Sequence, residues 1–402
     1  MVVGDVTTGT EVLVIGAGPG GYVAAIRAAQ RDLNVTLVER DAYGGVCLNR
    51  GCIPSKAYIT ATDVAHDAAT AEEMGIHADP AVDLGGMHEW KEGVVDRLTG
   101  GVEKLCKANG VNLLEGTATF VDDGTVRVEH EGEGQGSETV AFDHCIVSTG
   151  SRPVSLPGFD FADEPVLDSA GLLSLTTVPD RLVVVGAGYI GMELSTVFAK
   201  LGSDVTVVEM LDDALPGYED DIARIVRKRA ESLGVDFHFG EGASGWRDAA
   251  DGGIVVTTET EDGEESTYGA DRVLVAVGRE PVTGPLDPEA AGLEPTAEGF
   301  LPTDERCETG VEGIYAVGDV AGEPMLAHAA SAEGVVAAEA IAGGSAAFDA
   351  RAIPAAVFTD PEIATVGLTE AAAANDGYDP VVGEMPFNAS GRALTTGETE
   401  GF

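Results

Sequence analysis

Two thiols and an amine stand close together in Gly44-Gly45-Val46-Cys47-Leu48-Asn49-Arg50-Gly51-Cys52-Ile53-Pro54-Ser55-Lys56. A dithiol of this kind is equipped for thiol–disulfide exchange, with the thiolate as the reactive form. The spacing places a condition on the backbone. On an unbroken helix, residues i and i+5 lie about 140° apart around the axis and roughly 7.5 Å apart along it, beyond the ~4.4–6.8 Å Cα separation of a disulfide. If Cys47 and Cys52 pair, the chain between them must leave the helical path, and Gly44, Gly45 and Gly51 give it that freedom. Pro54 suits the first turn of a following helix, whose N-terminus favours a thiolate. Lys56, four residues beyond Cys52, falls one turn further along the same face of such a helix.

The elements that must position these groups occur twice. Glu11 to Gly21 is a buried-strand pattern running into Gly16-x-Gly18-x-x-Gly21, followed by an apolar helix pattern and the strand Val35-Thr36-Leu37-Val38-Glu39. Arg181 to Gly191 repeats it with Gly186, Gly188 and Gly191, then Val205-Thr206-Val207-Val208-Glu209, every part offset by 170 residues. A lone glycine pattern is weak. Between strand and helix, with an acid closing the next strand about 20 residues on, it is a dinucleotide fingerprint. The glycines permit the tight turn and the approach of a pyrophosphate to the helix N-terminus, and the carboxylate accepts from ribose hydroxyls. Two dinucleotide sites are expected. Glu209 would repel a 2′-phosphate, which favours NAD over NADP at the second.

Two further strands, Cys145 to Thr149 and Val273 to Val277, each run into a glycine and then a proline, Gly150…Pro153 and Gly278…Pro281. These mark expected chain crossings near 151 and 278, with the second βαβ unit inserted into the first domain. The fold class is α/β, with two Rossmann-like domains. Val94, Val95, Leu98, Val102 and Leu105 form a core-facing helical stripe between Trp90 and Gly110. The strand Gly313 to Asp319 ends on an acid that could simply cap the region, and an alanine-rich helix follows over 329–342. Segments 121–140 and 246–267 are expected to be β-rich.

With 402 residues, 44% of them hydrophobic, the chain can fill two or three domain cores. No apolar run approaches the roughly 20 residues of a membrane helix, and the first residues lack a signal-peptide pattern, so a cytoplasmic protein is expected. Of five cysteines, Cys106, Cys145 and Cys307 fit small buried residues. A formal charge of −46, from 69 acidic against 23 basic residues, argues against nucleic acid or an anionic membrane as partner. The acids are scattered through segments of strong apolar periodicity, as in a solvated acidic shell. The surface inventory of lysine is small: Lys91, Lys104, Lys107, Lys200 and Lys228 besides Lys56. This balance suits work in concentrated salt, where counterions screen self-repulsion.

Taken together, these motifs resemble the pyridine nucleotide-disulfide oxidoreductases over essentially the whole chain. The likeness runs through Gly16 to Gly21, Cys47 to Lys56, Gly186 to Glu193, Gly318-Asp319 and Phe358-Thr359-Asp360-Pro361-Glu362. The wording around the cysteines, with Leu48 and Ile53, resembles the branch that oxidises lipoyl dithiols more than the glutathione or mercuric reductases. The resemblance implies FAD over residues 1–151 and 278–347, NAD over 152–277, and the start of an α+β dimerisation domain over 348–402. It implies Gly16, Gly18, Gly21, Glu39, Lys56, Gly116, Gly150, Asp319 and the Met325-Leu326-Ala327-His328 backbone as FAD contacts. For NAD it implies Gly186, Gly188, Tyr189, Gly191, Glu209 and Gly278. Cys47 would face the substrate, Cys52 the flavin, and Lys56 would pair with Glu193 near flavin N5, with Tyr189 covering the nicotinamide pocket. The implied partners are a lipoyl-bearing protein domain, from a 2-oxoacid dehydrogenase complex or a glycine-cleavage carrier, and a second copy of the full-length chain.

Members of the family carry a His-Glu acid–base pair in the dimerisation domain, and none of His66, His77, His88, His130, His144, His238 and His328 occupies that place. The expectation is that the sequence ending at Phe402 is incomplete. Flavin NADH oxidases and diaphorases share the fold, but most lack the Cys47 and Cys52 pair. A purely structural subunit leaves that pair unexplained. The acidic shell predicts a thermal midpoint that rises from dilute to molar salt; melts showing equal or greater stability in dilute buffer would refute adaptation to salt.

Overall fold

The computed structural model describes residues 7–130, 136–250 and 252–402. These form two compact units. One comprises the chain through Pro54, Glu92–Arg152 and Arg279–Ala350, and the other Ser55–Lys91, Pro153–Gly278 and Arg351–Phe402.

In the first unit, Thr7–Ile15 pairs in parallel with Val35–Glu39 on one side and Ser137–Val147 on the other. Asn112–Glu115 extends the parallel part beyond Val35–Glu39, and Ile314–Ala316 also runs parallel to Ser137–Val147. The antiparallel strands Thr125–Glu129 and Thr117–Asp122 complete this sheet. They belong to the excursion expected over 121–140, part of which (131–135) lies outside the described residues. Val12, Leu13, Val14 and Leu37 are fully buried, as a parallel strand covered on both faces requires.

Helix Pro19–Ala29 has proline at its first position and buries Gly20, Gly21, Ala24, Ala25 and Ala28. These small residues let helix Ala327–Ile341 approach closely: a Cβ on Gly334 would stand 2.4 Å from the Gly20 carbonyl oxygen. Helix Leu84–Ala108 carries the stripe expected from the sequence, though not all of it is core-facing. Val95, Val102 and Cys106 are buried, whereas Leu98 and Leu105 are exposed, because the inward arc follows positions 95, 102 and 106 and leaves those two on its flank.

The second unit repeats the nucleotide-fold core in five parallel strands. Their order is Asp236–Phe239, Asp204–Glu209, Arg181–Val185, Arg272–Val275 and Val166–Leu167. The repeat extends to register: Val12 pairs with Val35 and Leu182 with Val205, through to Ile15 with Val38 and Val185 with Val208. Strands Glu241–Asp248, Ile254–Thr260 and Glu265–Ala270 form an antiparallel sheet across the expected second excursion. Ala355–Val357 and Ile363–Thr365 form a small antiparallel pair. Val357 and Ile363 join a core containing Tyr58, Leu172, Met192 and Phe198. Lys91 and Lys200, counted with the surface lysines from sequence, are in fact buried. Lys91 Nζ donates to the Leu173 carbonyl at 2.8 Å.

Two alanine substitutions separate packing from propensity. Gly334→Ala should destabilise by about 1–3 kcal/mol through overpacking. Gly93→Ala, at an exposed position of helix Leu84–Ala108 where a Cβ meets nothing within 4 Å, should stabilise by about 0.5–1 kcal/mol. Thermal midpoints of the two variants against the parent check both signs.

Candidate dithiol and dinucleotide sites

The dithiol segment stands on the first glycine loop. Gly44 and Gly45 have φ of 99° and 60°, a left-handed entry that glycine takes without strain. Gly44 N donates to the Ala17 carbonyl at 2.8 Å, and a Cβ on Gly45 would fall 2.5 Å from Gly18 Cα. One short helix, Gly45–Asn49, carries Cys47, and its turn is fastened by Asn49 Nδ2 donating to the carbonyls of Tyr43 and Gly45 at 3.1 and 2.9 Å. A second helix starts at Cys52 and runs to Thr70, with Pro54 in its first turn. The cysteines therefore sit on separate helices, broken at Arg50-Gly51. Cys47 is half-buried and Cys52 exposed, at the positive end of a 19-residue helix that favours a thiolate. Burial raises the Tyr22 phenol pKa, and charge on Cys47 would raise it further.

The other thiols are poor nucleophiles. Burial pushes Cys106 up to about 11 and Cys307 up to about 12, and raises Cys145 strongly.

Both glycine loops are sterically obligatory. A Cβ on Gly16 would lie 2.3 Å from the Ser148 carbonyl oxygen, and on Gly186 2.6 Å from that of Ala276. On Gly21 and Gly191 it would lie 1.8 and 2.0 Å from the carbonyl oxygens of Gly16 and Gly186. Gly18 and Gly188 instead cap the helices that follow, and beside Gly188 there is open space. The acids match too. Glu39 accepts from Ala17 N at 2.7 Å and Asp41 N at 2.9 Å; Glu209 accepts from Ala187 N and Leu211 N at the same two distances. Burial pushes the Glu39 carboxyl up, opposed by the Ala17 and Arg40 amides. The open helix N-termini and fixed carboxylates fit dinucleotides at both loops.

Around the first loop, Asp319 lies in a single 3-10 turn, Gly318–Val320, and accepts from Ser151 Oγ at 2.5 Å. Ser151 Oγ in turn accepts from Arg279 Nε at 2.8 Å, and Glu333 accepts from Gly318 N at 2.6 Å. Neither Arg279 nor Glu333 was among the residues expected from sequence, since side chains 128 and 15 residues from their partners leave no local pattern. Met325 and Leu326 lead into helix Ala327–Ile341, which begins at Ala327 with His328 in its first turn. Gly116 has φ of 158°, and a Cβ there would meet the Glu129 carbonyl oxygen at 2.6 Å. Gly150 and Gly278 have φ of 69° and 138°, with open space beside Gly150.

In the second unit, helix Tyr189–Lys200 exposes Tyr189 by 46% and buries Glu193 to 8%. Phe358 N donates to Glu193 Oε1 at 2.8 Å. Lys56 Nζ lies 4.0 Å from the centre of the Phe358 ring, a cation–π contact. The expected Lys56–Glu193 pairing is thus indirect here: Phe358 touches both groups, and the lysine charge lowers the carboxyl pKa through space. Burial outweighs that effect and pushes Glu193 up, with Glu362 adding to the rise. The Phe358 motif was legible in the sequence; its contacts 165 residues away were not.

The profile of the family "pyridine nucleotide-disulphide oxidoreductase" matches residues 10–334, and that of its dimerisation domain matches residues 353–402. The dihydrolipoyl dehydrogenase of Haloferax volcanii is 70% identical over 403 residues, covering 100% of this chain and 85% of the relative. The chain belongs to the pyridine nucleotide-disulphide oxidoreductase family. As a pyridine nucleotide-disulphide oxidoreductase it is an FAD- and NAD-dependent enzyme. The dihydrolipoyl dehydrogenase of Geobacillus stearothermophilus is 49% identical over 403 residues, covering 100% of this chain and 84% of that protein. Among solved structures, LpdA of Mycobacterium tuberculosis aligns with a TM-score of 0.88 at 28% identity, over 97% of this chain and 85% of that one.

Glu193 gives this member of the family a pH signature. With its folded-state pKa raised, the stability it contributes is fully present below the unfolded carboxyl value and is lost as pH rises through the folded one. Glu193→Gln should raise the thermal midpoint of the flavin-free protein at pH 7. The gain should close below about pH 4, under the ordinary glutamate value; a gain independent of pH would contradict a raised Glu193 pKa.

Proposed function

We propose that this protein is a dihydrolipoyl dehydrogenase in which Cys47 and Cys52 form the redox disulfide and the substrate is a lipoyl group carried on a protein domain. The observation that carries this is the seating of the Cys47-bearing segment on the Gly16–Gly21 loop through Gly44 and Gly45. Attachment of the Cys47 segment to a dinucleotide loop supports electron exchange between the two thiols and a cofactor at that loop.

In the exchange, one dihydrolipoyl thiolate attacks Cys47 Sγ, the Cys47–Cys52 bond breaks, and Cys52 departs as a thiolate at its helix N-terminus. The second substrate thiolate then attacks the substrate sulfur bound to Cys47, closing the lipoyl disulfide and releasing Cys47. Two protons and two electrons leave the substrate, and the enzyme dithiol holds the electron pair. FAD held at the first glycine loop would supply a two-electron acceptor for that dithiol, with NAD⁺ at the second loop as the final hydride acceptor.

The chain's residues divide the remaining work. Gly16, Gly18, Gly21, Glu39, Gly116, Gly150, Asp319 and the Met325–His328 backbone hold FAD, on a domain made of residues 1–151 and 278–347. Gly186, Gly188, Gly191, Glu209 and Gly278 hold NAD on residues 152–277, with Glu209 excluding a 2′-phosphate. Lys56 and Glu193 tune the flavin, and Tyr189 covers the nicotinamide site. Residues 348–402 contribute to the interface between two copies in the cytoplasm; among the described residues no helix is long and apolar enough to cross a membrane.

Cys47→Ser decides the assignment. In purified full-length protein assayed in molar salt, it should reduce NAD⁺ with dihydrolipoamide only at background rate while retaining NADH-to-dye activity. Wild-type protein that reduces glutathione disulfide or mercuric ion in preference to lipoamide would overturn it.

A further inference from the structure

The second unit contains an ion cluster around one buried lysine that the dinucleotide fingerprint does not require. Lys200, at the end of the helix that carries Glu193, has a side chain only 3% exposed, and its ammonium lies 2.7 Å from Asp63 Oδ1 and 2.8 Å from Asp360 Oδ2. Asp360 Oδ2 also accepts from Arg229 Nη2 at 3.1 Å, and that nitrogen lies 3.4 Å from His66 Nε2. Burial works against an ionised Asp360, yet Arg229 and Lys200 hold its carboxyl below the usual range. The cluster ties together helix Cys52–Thr70, helix Tyr189–Lys200, helix Asp220–Ser232 and the turn between the strands Ala355–Val357 and Ile363–Thr365. Removing a carboxylate partner leaves the buried Lys200 ammonium with less compensation, so the contacts of this lysine resist distortion.

Asp360 sits two residues after Phe358, on a turn further fixed by Thr359 Oγ1 donating to the Pro361 carbonyl at 2.8 Å. Phe358 is the residue whose amide binds Glu193 and whose ring carries the Lys56 ammonium. Whatever fixes this turn fixes both groups. We propose that Asp360, clamped by Lys200 and Arg229, is a positioning residue that sets Glu193 and Lys56 through the Phe358 turn. This rests on the place proposed above for Glu193 and Lys56 beside the flavin.

The test uses flavin-loaded full-length protein in molar salt with two variants, Asp360→Asn and Arg229→Gln. Hydrogen exchange of a peptide containing Phe358 should accelerate about tenfold or more in Asp360→Asn as local protection is lost. The two-electron midpoint potential of the flavin should shift in Asp360→Asn and shift less, in the same direction, in Arg229→Gln. Both shifts should vanish in a Lys56→Met/Glu193→Gln background, because the cluster then has nothing to position. A folded, flavin-loaded Asp360→Asn protein with the wild-type potential overturns the proposal, as does a shift that persists in that background. If Asp360→Asn does not fold, Arg229→Gln, which removes a side chain 33% exposed, carries the same comparison. Failure of the wild type to oxidise dihydrolipoamide overturns the dithiol assignment alone, since potential and exchange decide the role of Asp360 independently.

Discussion

The peptide unit at Ala17 is the junction on which the first site depends. Its N–H is given to Glu39 and its carbonyl accepts from Gly44. One residue thereby fixes the acid that closes the second strand and the entry to the cysteine helices. The duplicated unit uses the same device with a different guest. Ala187 N donates to Glu209, while the Ala187 carbonyl accepts from Leu215 N at 2.8 Å. Two copies with one strand register diverge at this carbonyl: the first admits a dithiol and the second an ordinary turn. In both copies the carbonyl accepts from the segment that follows the second strand, so the cysteine-bearing segment occupies an attachment point that the unit uses in either case.

Charge is divided between surface and interior in a way that suits strong salt. With 69 acidic against 23 basic residues, most exposed carboxylates have no cation to meet, and concentrated counterions screen their repulsion. The same salt weakens exposed ion pairs, which are worth little in any medium. Buried pairs are screened far less. Two of the six lysines are therefore informative: Lys91 and Lys200 lie inside, where their directional bonds survive conditions that erase surface electrostatics.

The repeat made most of the architecture legible. Buried strands, glycine turns and closing acids are local patterns, and an offset of 170 residues carried register from one copy to the other. Gly44, Gly45 and Gly51 likewise made room for the break between Cys47 and Cys52, which the spacing requires if the two thiols are to pair. What stayed hidden depends on contacts between distant parts of the chain. Nothing near Lys200 announces Asp63, 137 residues away, so it reads as one more surface lysine. Leu98 and Leu105 have helical spacing but lie at the flank of the buried arc. Phe358 belongs to a recognisable motif, yet only the fold shows that its amide is used by Glu193.

Glu193 shows why such long-range contacts matter. A carboxylate exposed by only 8% is pushed toward its neutral form by desolvation. A glutamine could accept the Phe358 amide hydrogen bond equally well, so that bond alone does not explain an acid. Only an ionisable group lets the site answer a nearby positive charge, and Lys56 supplies one that lowers the carboxyl pKa. Phe358 meets both groups, its ring contacting the Lys56 ammonium and its amide donating to Glu193 Oε1. The energy of a buried carboxyl beside a cation depends on their separation, because the interaction is weakly screened in the interior. In the role proposed for Glu193 and Lys56 that dependence gives the Phe358 turn its importance, and the bonds of Asp360 to Lys200 and Arg229 add directional contacts to the packing of Val357 and Ile363.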